Sequence, residues 1–329
     1  MAAIKFNPNV RLILADVDET VADVYTAAHS NMIEQLSQLL SEGKVLFLIS
    51  GGGLQSIRER ITNRLKPELR HRVLIAHCSG AEVWGFEKGG SLQREPYFGV
   101  YDQQLTEDQK MHWREVVAQT IFEFQLQTFP TQTKESFIQV SKGNPFAVML
   151  ADRGPQITLE FVNSVDMTEA QADFIGRKIG RKPGKLQGSY DFRMQIMKRL
   201  ESLFEDAQLP ITPKLGGTCA LDMLLKGVDK TKAIKFVLEH ENILADLDIA
   251  KADINEAQEI EIWGDKFSQT KGGPDFQMCL AVAPEVRAID FRQEDISDLP
   301  AHFNIVLWDG QEHLHRGLLE YLKSRSAAE

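Results

Sequence analysis

Cysteine is scarce in this sequence: Cys78, Cys219 and Cys279 are its three thiols in 329 residues, widely separated and without C-x-x-C spacing. An odd number cannot close a complete internal disulfide framework, which excludes a stapled scaffold and favours a reducing cytoplasm. Long hydrophobic runs are absent too. No uncharged apolar stretch reaches the roughly 18 residues of a membrane span, and Met-Ala-Ala-Ile-Lys-Phe-Asn-Pro-Asn at the start lacks the apolar core of a secretory leader. Positive charge is in deficit: 37 Lys plus Arg stand against 47 Asp plus Glu, a formal net charge of −10. That sign opposes general binding to phosphate backbones, so neither nucleic acid nor a membrane is an expected partner. What remains is a soluble, cytoplasmic chain. Its 43% apolar content is ample for a core, and its length, at about 150 residues per domain, predicts two domains.

Short apolar runs alternate with amphipathic segments in the first part of the chain. Leu12-Ile13-Leu14-Ala15 is too short for a helix and reads as a strand buried on both faces. Ala27, Ile33, Leu36 and Leu40 follow with helical spacing, then a second strand at 45–49 ends in Ser50-Gly51-Gly52-Gly53. Ile57, Ile61 and Leu65 mark another helix before a third strand at 73–76. This order predicts an α/β fold with a doubly wound, mostly parallel sheet. The pattern then changes: a helix is expected over 106–125, with Trp113, Val116, Val117 and Phe124 inward, and strands near 137–140, 146–150 and 157–162 lack helices between them. Helices near 168–179 and 192–207 complete an inserted α+β domain, assigned to 87–209. The core, 1–86 and 210–329, resumes with strands expected at 220–225, 260–263, 279–283 and 305–308, and helices at 230–239 and 311–323. The charged stretch 246–261 reads as a solvated helix or loop.

The chemistry concentrates in Asp16-Val17-Asp18-Glu19-Thr20, directly after the first strand. Ligands of open α/β sheets bind at the carboxyl ends of strands, so two carboxylates there are placed for use. One can attack a phosphorus centre while the other handles the leaving-group proton.

This D-x-D-x-T resembles the first motif of the haloacid dehalogenase-like superfamily, and further motifs follow in that family's order. Ser50 in Leu48-Ile49-Ser50-Gly51 matches the second; its hydroxyl beside glycine amides suits phosphate oxygens. Lys230 lies in Lys226-Gly227-Val228-Asp229-Lys230, which resembles the K-G-V-x-K signature of sugar-phosphatase branches, and a lysine at a helix start adds charge to a site biased toward anions. Gly264-Asp265 follows the strand at 260–263, and Asp275 closes Lys271-Gly272-Gly273-Pro274-Asp275; oxygen ligands from separate strand ends suit Mg2+. His77-Cys78-Ser79-Gly80-Ala81 resembles the N-G-A turn of the branch with large α+β caps, which includes trehalose- and sucrose-phosphate phosphatases, Cof-type phosphatases and phosphomannomutases. Departures are present: Glu19 replaces a common Gly, the second motif lacks the frequent T-G-R arginine, and Pro274 stands where Asn is usual.

The resemblance implies a Mg2+-dependent phosphatase of a small phosphorylated metabolite, a sugar phosphate above all. It implies Asp16 as nucleophile, Asp18 as acid and base, Thr20 as an orienting group, and Ser50, Gly51 and Lys230 on the phosphate. Asp16, the Asp18 backbone carbonyl, Asp265 and Asp275 would hold the metal. In the inserted domain, Arg177, Lys178, Arg181, Lys182 and Lys185 form a basic cluster from which Arg181 and Lys182 are the expected substrate contacts. A phosphohexomutase remains an alternative, since Glu160-Phe161-Val162-Asn163 resembles the mutase cap motif in part, as does a noncatalytic phosphosugar-binding regulator. His313 and His315, two apart on a helix, point to different faces and read as surface residues. The oligomeric state is left open.

Overall fold

The computed structural model describes residues 4–250, 254–268 and 273–327. Two compact units emerge: Met1–Gly99 with Val228–Glu329, and Val100–Gly227. In chain order the first unit contributes β1 (Leu12–Asp16), β2 (Val45–Ile49), β3 (Val73–His77), β4 (Glu82–Trp84) and β5 (Phe98–Gly99). The second contains β6 (Gln127–Phe129), β7 (Ala147–Asp152), β8 (Gln156–Glu160), β9 (Gly184–Leu186), β10 (Ser189–Asp191), β11 (Ile211–Gly216) and β12 (Ala220–Leu225). On its return to the first unit the chain adds β13 (Ile260–Gly264), β14 (Arg287–Asp290) and β15 (Ile305–Leu307).

The first unit is built on one sheet, ordered β15-β14-β13-β1-β2-β3-β4-β5. Pairing is parallel from β15 to β3 and antiparallel for β4 and β5 at the edge. Every residue of β1, β2, β3 and β13 is buried, because apolar side chains cover both faces. Ile13, Leu46, Leu48 and Ile75 pack on one face with the helices Ser30–Ser41 and Leu314–Lys323. Leu12, Leu14, Phe47 and Leu74 pack on the other with Ala233, Ile234 and Val237 of the helix Lys230–Glu239. Strand order runs outward in both directions from β1 and β13, so the crevice at their carboxyl ends is the topological switch point where such folds bind ligands. Register aligns Ala15 with Trp263, which puts Asp16 and Asp265 at the same end of neighbouring strands.

In the second unit, β11-β12-β8-β7-β6 form a mixed sheet, antiparallel except for β6 with β7. Its helix Glu107–Glu123 begins in a capping box between Thr106 and Gln109 and buries Trp113, Val116 and Val117. The helix Arg193–Asp206 buries Ile196, Leu200 and Phe204. Among the described residues, no helix is long and apolar enough to cross a membrane.

Three expectations change. The segment expected as a strand near 137–140 is the helix Lys134–Ser141, started by the Thr133 hydroxyl accepting from Ser136 N–H. Only Phe137 and Ser141 are buried there, at helical rather than alternating spacing, while Ile138 and Val140 are 48% and 53% exposed. The strand expected at 279–283 is instead the end of a short helix, Phe276–Cys279, and the next strand is β14, which ends on Asp290. Ala and Leu dominate the 279–283 run, and they serve a helical turn as well as a strand. Finally, the strand at 220–225 pairs antiparallel with β11 and β8, placing 210–227 in the second unit. The hairpin partner at Ile211–Gly216 carries two of the breakers, Pro213 and Gly216, that hide it in the sequence. Within 246–261, residues 251–253 lie outside the described residues.

The helical assignment of 134–141 has a mutational consequence. Phe137→Ala removes a fully buried ring and is expected to cost about 3–5 kcal/mol, whereas exposed Ile138→Ala should stay within about 0.5 kcal/mol, both read from urea midpoints. Equal losses at the two positions would return the segment to a strand.

Candidate active site

After Asp16 the backbone turns back on itself. Val21 and Ala22 N–H both donate to the Val17 carbonyl, at 2.9 and 3.0 Å, and Glu19 N–H donates to the Ala22 carbonyl at 2.7 Å. Glu19 holds the turn with φ of +66°, a left-handed conformation that a residue with a Cβ adopts rarely. This turn brings Asp18 and Thr20 back to the strand end that Asp16 occupies.

Lys230 is the hub. Its Nζ donates to Asp16 Oδ1 at 2.6 Å and to Asp275 Oδ1 at 2.7 Å, and it is 2% exposed. Asp229 caps the helix that carries it, accepting from Lys232 N–H, and Gln277 Oε1 accepts from Lys230 N–H. Asp275 takes the Asp265 and Lys266 N–H groups on its other oxygen, at 3.0 and 2.9 Å. Those bonds require the chain to pass tightly at Gly264, where a Cβ would lie 2.9 Å from Asp275 Oδ2 and 2.8 Å from the Phe267 ring. Asp16 Oδ2 has no hydrogen-bond partner among the described residues.

Asp265 faces a second group of cations. Arg292 donates through Nη2 and Nε to Asp265 Oδ2, at 2.6 and 3.1 Å, and Lys266 Nζ stands 3.6 Å away. Thr20 Oγ1 lies 3.4 Å from Asp265 Oδ1. Glu19 pairs with Arg292 and, at 3.5 Å, with Lys266. Asp18 is held separately: Arg60 Nη1 donates to its Oδ1 at 2.8 Å and Ser50 Oγ to its Oδ2 at 3.1 Å. Arg60 is itself fixed by the Thr26 and Asp23 carbonyls. Ser50, expected on the phosphate, thus binds Asp18 and accepts from Gly52 N–H, with Gly51 half-buried beside it.

Burial sets the proton affinities. It raises Asp16 well above an ordinary carboxyl, with the Asp275 charge adding to the effect and Lys230 opposing it. Burial, then the Asp275 charge, lifts Asp265 to about 7 against the pull of Lys266 and Arg292. For Lys230 burial works the other way, yet the charges of Asp16 and Asp275 outweigh it and its ammonium is held more firmly than in water.

Asp16, Asp265 and Asp275 offer carboxylate oxygens that all lie within 4.8 Å of one another, each buried. Three hard oxygen donors that repel one another fit a small divalent cation, Mg2+ above all. Asp18 stands outside this trio by its side chain.

The structure thus brings together Asp16, Asp18, Thr20, Ser50, Lys230, Asp265 and Asp275 in one unit. The second unit's cations are used otherwise: Lys182 pairs with Glu169 at 2.8 Å and Asp173 at 2.7 Å, and lies over the Tyr190 ring, while Arg181 is exposed. Asn163 of the mutase-like segment donates to Ser141 Oγ and the Asn144 carbonyl, a local structural use. His313 is exposed and His315 partly so. Lys271 and Gly272 lie outside the described residues. Sequence reasoning missed Arg60 and Arg292. Arg292 follows the end of β14 by two residues, a signal lost once that strand was placed at 279–283.

No protein-family model matches the chain, and no curated protein does. Solved structures do. The C-terminal domain of trehalose-6-phosphate phosphatase from C. albicans superposes with a TM-score of 0.53 at 14% identity, covering 98% of this chain and 94% of that one. A trehalose-6-phosphate phosphatase related protein gives 0.51 at 11% identity, covering 96% and 98%. At such identities the likeness establishes the fold alone: a mostly parallel, Rossmann-like sheet in the first unit with an α+β insertion.

The raised carboxyl of Asp265 ties stability to pH. It titrates near 7 in the folded chain and at the ordinary 3.8 when unfolded, so between those values the folded state holds more protons. Metal-free protein therefore loses this contribution as pH rises from 3.8 to about 7. Relative to Asp265→Asn, the wild type should become less stable across that window in urea titrations, and a constant difference would contradict the assignment.

Proposed function

We propose that the chain is a Mg2+-dependent phosphatase that hydrolyses a small phosphomonoester through an aspartyl-phosphate intermediate. The observation that carries it is the pairing at Asp16: one oxygen is taken by Lys230 and the other has no hydrogen-bond partner among the described residues, at the switch point of the sheet, beside two further buried carboxylates. A sugar phosphate is the proposed substrate class, supported by the shared fold of the trehalose-6-phosphate phosphatases. The three buried cysteines form no disulfide with one another, which accords with a reducing cytoplasm.

Asp16 Oδ2 attacks phosphorus in line, forming the acyl phosphate as the ester P–O bond breaks. Asp18 delivers a proton to the departing alkoxide, then takes one from the water that cleaves the acyl phosphate, so alcohol and inorganic phosphate leave and Asp16 is regenerated. Arg60 and Ser50 keep Asp18 oriented between these two transfers. Lys230, fixed between Asp16 and Asp275, lies beside the attacking carboxylate and offsets negative charge that collects on the phosphoryl group. Asp16, Asp265, Asp275 and the Asp18 backbone carbonyl would hold Mg2+, which when bound neutralises phosphoryl oxygens and makes phosphorus a better electrophile.

Purified protein screened with Mg2+ against a phosphometabolite panel should release phosphate, and EDTA should abolish the release. Asp16→Asn is expected to remove turnover while the fold persists, and Asp18→Asn to slow it by about 10²–10⁴-fold. Near-normal turnover by Asp16→Asn would exclude the covalent route, and full activity in metal-free buffer would exclude the cation.

A further inference from the structure

We propose that Arg292 is a positioning residue for the metal centre, gripping Asp265 Oδ2 so that Oδ1 is the oxygen presented, with Glu19 as its anchor. The role rests on Asp16, Asp265 and Asp275 being the Mg2+ ligands.

Arg292 holds Asp265 from several directions. Nη2 and Nε both donate to Oδ2, at 2.6 and 3.1 Å, and Nε also donates to the Asp265 backbone carbonyl at 3.1 Å. Among the described residues Oδ1 meets only the Thr20 hydroxyl, at a long 3.4 Å. The two oxygens of one carboxylate are therefore divided: Oδ2 is held by the guanidinium with Lys266 beside it, while Oδ1 has only the long Thr20 contact among the described residues.

Arg292 is in turn placed by its surroundings. Its N–H donates to Oδ1 of Asp290, the last residue of β14, at 2.8 Å, while Oδ2 of the same carboxyl takes Glu294 N–H at 2.7 Å. Glu294 then accepts from Phe267 and Ser268 N–H at 2.6 and 2.8 Å, so the loop after Asp265 and the turn that carries Arg292 are bonded into one frame. Glu19 ion-pairs with the Arg292 Nη2. Its left-handed backbone is strained for a residue with a Cβ, and the ion pair is what the side chain gains there.

A guanidinium beside a cation site has two opposing effects. Its charge repels the metal; its fork fixes the ligand. Because two carboxylates, Glu19 and Asp265, face the two cations Arg292 and Lys266, repulsion is largely cancelled while the geometric hold remains, and orientation wins. Loss of such an outer partner typically lowers metal affinity by about 10–100-fold.

The sign of the effect is the test. Metal-free protein is titrated with MgCl2 by calorimetry, and the melting temperature of each unliganded variant checks its fold. Arg292→Met should weaken Mg2+ binding by about 10–100-fold, although it removes a positive charge. Arg292→Lys keeps the charge but loses the fork, and should fall between wild type and Arg292→Met. Glu19→Gln should weaken binding less than Arg292→Met does. Equal or tighter binding by Arg292→Met overturns the positioning role. If that variant does not fold, wild-type affinity in Arg292→Lys does the same. Wild-type protein without saturable Mg2+ binding overturns the metal reading itself, and this role with it; saturable wild-type binding lost in Asp275→Asn separates the two.

Discussion

Lys230 lying between Asp16 and Asp275 is the contact on which the rest of the first unit depends. Three carboxylates buried at one strand end repel one another in a medium that screens poorly, and a cation among them relieves that repulsion. A buried ammonium with two carboxylate partners resolves part of that conflict, but such arrangements rarely stabilise a fold beyond what apolar side chains of the same volume achieve. Their presence speaks for chemistry rather than for stability. The surrounding structure serves the same end: Asp229 and Gln277 fix the start of the lysine's helix, and the close passage at Gly264 lets two backbone N–H groups reach Asp275.

Charge balance at the site differs from that of the whole chain. A net charge of −10 repels a phosphate ester at a distance, yet Lys230, Lys266, Arg292 and Arg60 all contact the carboxylates at this strand end. Their partners divide them into three sets. Lys230 belongs to Asp16 and Asp275, whereas Arg292 and Lys266 belong to Asp265 and Glu19. Arg60 stands apart with Asp18, fastened at its other nitrogens to the Asp23 and Thr26 carbonyls. Because Asp16 and Asp18 answer to different cations, the two carboxylates are oriented independently although only Val17 separates them.

Much of this was legible in the sequence because central parallel strands are buried on both faces. Such strands are written as short unbroken apolar runs, and β1, β2, β3 and β13 all appeared at or within one residue of their place. The acidic motif was legible for the same reason, being pinned to the end of β1. Harder cases were the segments whose composition suits two states. Phe137 to Val140 reads as a strand until one sees that only Phe137 is buried, and the Cys279 to Ala283 run satisfies a helical turn equally well. The arginines were illegible for another reason. Nothing local distinguishes Arg60 from Arg58 or Arg64, and the contact of Arg292 with Asp265 spans 27 positions and exists only because β14 lies beside β13.

The first unit is made of two stretches of chain, and β1 sits where they join. Its one edge pairs with β2, close behind it; its other edge pairs with β13, about 250 residues later, Leu12 with Ile260. During synthesis at about 5–20 residues per second, that second edge waits about 12–50 seconds for its partner. Meanwhile the five residues of β1 are apolar up to Asp16 and their unpaired N–H and C=O groups can accept any extended strand. A crowded ribosome therefore meets this chain at its most adhesive before Asp265, Asp275 and Lys266 have been made, and the strand that carries Asp16 is the one in need of shelter.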